Sequence, residues 1–102
     1  MNNKNIIDDK VKNVISIIKD MDLKNKLRLG LCISSSSYTT LKYNKAHMHS
    51  IFYKRLKEID NEYLTGYVNM RKYPTILFAM AKIMEMNNAE QNQIAMYLYN
   101  NI

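Results

Sequence analysis

The sequence predicts a mainly α fold, a single small domain over residues 1–102 built of about five helices. Three observations carry this expectation. Apolar residues recur at helical spacing in several separate stretches. Gly 2 and Pro 1 leave few of the turn residues that a strand-rich fold needs. A hydrophobic fraction of 47% in 102 residues suits one buried core, and excludes a disordered chain, a collagen or a disulfide scaffold.

The first helix is expected over residues 6–21. Ile7, Val11, Val14, Ile15, Ile18 and Met21 follow the i, i+4, i+7, i+8 pattern. Asp8 and Asp9 would face the positive end of its dipole, and Lys19 the negative end. Residues 22–33 admit two readings. Asp22 can cap a helix carrying Leu23, Leu27 and Leu31, fraying at Gly30. Leu27, Leu29, Leu31 and Ile33 also alternate at period two, which suits a strand. Ser34 to Ser37 form a loop or a cap, because serine side chains compete for backbone partners. Tyr38 to Tyr43 are open to a short helix or a strand.

A further helix is expected over 46–60, with Met48, Phe52, Leu56 and Ile59 as its apolar stripe. Residues 61–73 lack helical period and suit a short β-hairpin near 61–70 or an extended turn. Pro74 opens the next helix, since proline is tolerated at the first helical position. From Pro74 to Met86 only Lys82 and Glu85 are charged, so apolar residues occupy most sides. Such a helix belongs at the centre of a core or in an interface, which points to a homodimer through Leu77, Phe78, Met80, Met84 and Leu98. Asn88 reads as the N-cap of a last helix over 89–100, with Gln91 completing a capping-box variant.

Charge is unevenly placed. Residues 24–57 hold eight bases (Lys24, Lys26, Arg28, Lys42, Lys45, Lys54, Arg55, Lys57) and no acid. The flanking segments are neutral or slightly acidic, so the formal +6 originates in the middle. Such asymmetry suits phosphate or an acidic partner surface.

The stretch from Ser50 to Val68 resembles the recognition helix and wing of winged helix-turn-helix proteins. It runs Phe52, Lys54, Arg55, Leu56, Lys57, Glu58, Ile59, then Asp60, Glu62, Leu64 and Tyr67-Val68. Lys45, His47 and Tyr63 depart from the family pattern. The resemblance implies a helix-turn-helix-like part at 37–70, with 74–102 supplying C-terminal helices for core and dimer contact. It also implies binding to double-stranded DNA and a role in regulating transcription or a mobile element. Anchored by its apolar stripe, the helix would present His49, Ser50, Tyr53, Lys54 and Lys57 to the major groove. Lys42 and Lys45 would lie near phosphates.

Other chemistries find little support. His47 and His49 share no helical face, and no carboxylate or thiol lies near them in sequence, so no metal site is expected. Cys32 sits in an apolar run and reads as a small buried side chain. Neither a glycine-rich phosphate loop nor a nucleophile elbow occurs, and neither an enzyme nor a cofactor is expected. The eight tyrosines read as half-buried, or as stacking platforms beside bases.

A lone cysteine suits a reducing compartment. The charges at Lys4, Asp8, Asp9, Lys10 and Lys12 do not suit a signal peptide, and no apolar run nears the roughly 18 residues of a membrane span. A cytoplasmic location is expected, or a host cytoplasm or nucleus for a viral protein. Asn, Ile and Lys are abundant, which suggests an AT-rich viral, phage or plasmid genome, and Met1 suits a complete short reading frame. The alternative function is a viral- or phage-type adaptor or inhibitor that binds a host protein, with the basic segment on an acidic surface.

Overall fold

Asp22 starts a helix because its carboxylate accepts the Asn25 N–H at 2.9 Å, satisfying a donor that every helix N-terminus leaves open. In this computed structural model that helix is α2, Leu23–Ile33, preceded by α1, Lys4–Lys19, and followed by α3, Lys45–Ile59. A 3₁₀ turn at Met70–Lys72 leads into α4, Pro74–Met84, and then α5, Asn88–Asn100. The structure describes residues 4–35, 39, 45–60 and 68–102, without the side chains of residues 4–8. The fold is mainly helical, with no strand among the described residues.

The period-two run at 27–33 is a helix, and the reason is burial. Leu27, Leu29, Leu31, Cys32 and Ile33 are all buried, so α2 is covered on most of its circumference. It packs most extensively against α3 and also against α4 and α5. A helix enclosed on several sides loses the one-sided stripe that marks a surface helix. The central helix is thus α2, where the sequence pointed to α4. Ser34 ends α2: its N–H and hydroxyl both reach the Gly30 carbonyl, the hydroxyl at 2.8 Å.

Gly30 does not fray the helix. It is buried, and a Cβ built on it would lie 2.5 Å from the Phe52 ring. The missing side chain lets α3 lay Phe52, itself wholly buried, directly on the α2 backbone.

Other expectations shift. Helix α1 begins at Lys4, so Asp8 and Asp9 fall beyond its first turn. On its inner side Val11, Val14 and Ile18 are buried, with Met21 just beyond its end. The α3 stripe is Met48, Phe52 and Leu56, whereas Ile59 is exposed. Of the hairpin expected near 61–70, residues 61–67 lie outside the described residues. Met70 already opens the 3₁₀ turn, with the Asn69 side chain accepting the Arg71 N–H. The Tyr38 to Tyr43 segment also lies outside them, apart from Thr39.

The last cap sits one residue earlier than its sequence reading. Asn87 is the N-cap of α5, and Glu90 closes a capping box by accepting the Asn87 N–H at 3.0 Å. Gln91 is instead buried, and its amide donates to the Ile83 carbonyl in the last turn of α4 and to the Met86 carbonyl just beyond it. It satisfies carbonyls that a helix C-terminus leaves open.

Gly30→Ala should lower stability by about 1–3 kcal/mol through overpacking, although alanine gains about 1 kcal/mol in helix propensity. Urea unfolding of the variant, alone and with Phe52→Leu, measures this. The double variant should recover part of the loss.

Candidate nucleic-acid interface

Helix α3 has a clear inside and outside. Met48, Phe52 and Leu56 are buried against the core. Ser50, Lys54 and Lys57 are exposed on the opposite side, and His49 and Tyr53 are half-buried along its edge. The Lys57 ammonium lies 5.7 Å above the Tyr53 ring, a cation–π distance that holds the charge over the aromatic face. Neither Lys54 nor Lys57 joins an ion pair among the described residues. Glu58 is also exposed on this helix, near its C-terminal end.

The rest of the basic segment is largely engaged within the chain. Asp60, just past α3, takes the Lys24 ammonium at 3.8 Å and the Arg28 guanidinium at 3.5 Å. Arg28 also donates to the Asn25 side chain at 2.7 Å and stacks 4.3 Å over the Tyr73 ring. Arg55 donates to the Ile102 carbonyl at 3.1 Å, so it ties α3 to the chain end beyond α5. Lys45 is half-buried, with its ammonium 3.5 Å from the Thr39 carbonyl. Charge counting from sequence missed Asp60 because it falls three residues beyond the acid-free run. The signal was its place directly after the C-terminus of a basic helix.

The structure therefore brings together His49, Ser50, Tyr53, Lys54 and Lys57 on one side of α3. Lys45 stands at the N-terminal end of that helix, and Lys42 lies outside the described residues. So does most of the segment that would hold the first helix of a helix-turn-helix. Helices α2 and α3 are not themselves such a pair: residues 34–44 separate them, whereas the motif turn spans about 3–4 residues.

Among the residues expected at a dimer contact, Met80 and Leu98 are wholly buried in this chain's own core, which removes them from any such surface. Leu77, Phe78 and Met84 are exposed at 45%, 57% and 49%.

His47 faces α5, with its Nε2 3.4 Å from the Tyr99 hydroxyl and the rings tilted at 6.1 Å. Cys32 is buried, and desolvation pushes its thiol up to about 12. No group of three or more His, Cys, Asp or Glu side chains gathers among the described residues. No described helix is long and apolar enough to cross a membrane.

Comparisons with known protein families, with curated proteins and with solved structures find no match.

Asp60→Asn removes the partner of two cations in a largely enclosed site. It should cost about 2 kcal/mol in chemical denaturation, with Lys24 contributing little because it is exposed. Cys32 should resist alkylation in the folded protein at pH 8 and react fully in denaturant. A folded pKa raised above the unfolded value leaves stability intact below pH about 9 and erodes it towards 12, as the unfolded thiol ionises first. Alkaline unfolding of Cys32→Ala should accordingly show a shallower decline.

Proposed function

We propose that this chain binds double-stranded DNA through the outward side of α3 and regulates transcription or a mobile element. The observation that carries the reading is the two-sidedness of α3. Its apolar side is clamped on α2, and its other side offers hydroxyl, imidazole and ammonium donors to a groove. A 15-residue helix is about 22 Å long and fits the major groove, which is about 12 Å wide. Lys54 and Lys57 have no acidic partner among the described residues to displace before meeting phosphate. The resemblance to winged helix-turn-helix recognition helices supports the same placement.

A second reading draws on the small extent of this charge. Arg28, Lys24 and Arg55 are engaged within the chain, which leaves a compact basic patch. Such a patch also suits the acidic surface of a host protein, as an adaptor or inhibitor would use it.

Titration of the purified chain onto a mixed-sequence duplex at several salt concentrations separates the two. Duplex affinity should fall steeply with salt, and Lys54→Glu with Lys57→Glu should lower the logarithmic slope by about 2. Duplex binding unchanged by this double variant would remove α3 from the interface. Absence of binding at low salt would favour the protein-partner reading.

A further inference from the structure

We infer that the outward side of α4 is the contact between two copies of this chain, paired antiparallel about a two-fold axis near Ala81. Leu77, Ala81 and Met84 follow i, i+4, i+7 spacing and form one exposed apolar stripe, with Phe78 beside it. Leu77, Phe78 and Met84 are three of the five large hydrophobic side chains exposed among the described residues. The other two, Leu23 and Ile59, stand on different helices. Phe78 also borders an open groove of ≈ 490 Å³ towards the end of α1, where Ile17 and Met21 stand among the polar Asp20, Asp22, Asn25 and Thr75, so the apolar area ends at Phe78.

Charge selects the occupant. The chain carries a formal +6, and the outward side of α3 repels a second copy. The outward side of α4 carries one cation and one anion, Lys82 and Glu85, and no net charge. Both lie on the Phe78 flank of the stripe. A two-fold antiparallel pairing turns the same flank of each copy to the same side and reverses its direction. The Lys82 ammonium of one copy then approaches the Glu85 carboxylate of the other, twice over. At the crossing, Ala81 has the smallest side chain of the stripe and allows close approach. Such a surface is complementary to itself, as an isologous interface requires. An acidic partner would instead be drawn to α3.

One short helix and the edge of a groove cover less than the roughly 800 Å² per partner of a standard interface. The dimer is therefore concentration-dependent, held by apolar contact and steered by the charge pair.

The test is sedimentation equilibrium of the full chain, freed of nucleic acid, over a wide concentration range. Because no DNA is present, its outcome is independent of the reading of α3. A monomer–dimer equilibrium that persists at high salt is expected. Leu77→Glu and Met84→Glu should each raise the dissociation constant by about tenfold or more, with thermal melting little changed at concentrations low enough for the parent chain to be monomeric, because both side chains are about half exposed within one copy. Lys82→Glu should weaken the dimer, and adding Glu85→Lys should restore it. A chain that is monomeric at every concentration would overturn the inference, even if α4 then captured another protein. So would a dimer indifferent to Leu77→Glu and to the charge exchange.

Discussion

The seat of Phe52 on the backbone of α2 at Gly30 determines where α3 lies. An aromatic ring in contact with a helix backbone admits one separation and little sliding, because the space a Cβ would need is already filled. Protein interiors are close-packed, so a ring held this way transmits its position to the rest of its helix. Met48 and Leu56, one turn to either side, bury against the same core. The outward direction of Ser50, Lys54 and Lys57 follows from that seat. The chemistry available on α3 is thus a consequence of an absent side chain on α2.

Electrostatics divides the basic segment into two parts with different duties. Asp60 draws Lys24 and Arg28 inward, and the Tyr73 ring covers the Arg28 guanidinium from another side. These cations join α2 to the end of α3 and to the turn before α4. A guanidinium enclosed by a carboxylate, an amide oxygen and an aromatic face is a structural tie. Lys54 and Lys57 point the other way and remain charged towards solvent. An acid-free run of sequence therefore does not translate into an equally large basic surface.

Much of this fold was legible in the sequence, and the failures have physical causes. The helices at α1, α3 and α4 show one-sided apolar spacing or a proline start, and Asp22 caps where a capping residue is expected. Helix α2 was ambiguous because burial on several sides places leucines at every second position, which imitates a strand. Gly30 looked like a breaker because local propensity carries no record of the ring that packs on it. The shift of the last cap from Asn88 to Asn87 arises because two adjacent asparagines offer the same chemistry, and the partner three residues on decides between them. Glu90 can reach back to the cap, whereas Gln91 is turned to the end of α4. On the candidate interface, helical spacing places His49, Tyr53 and Lys57 along one side of α3. Linear charge counting overlooked Asp60, whose pairing joins residues more than thirty positions apart.

The apolar character of α4 also needed tertiary information to interpret. A helix with apolar residues all round can be central, or it can be buried on one side and open on the other. Met80 and Leu77 are equally hydrophobic in sequence, yet one is fully enclosed and the other nearly half exposed. The difference is set by α2, which packs on α4 from inside and on α3 from a different side. One buried helix thus fixes both the cationic side of α3 and the apolar side of α4. Two copies joined through α4 would hold their α3 helices at a spacing governed by α2 and not by any flexible linker. Half-site spacing on a duplex is a geometric property of this kind. The rigidity of the Gly30–Phe52 contact would then bear on which spacing two copies can span.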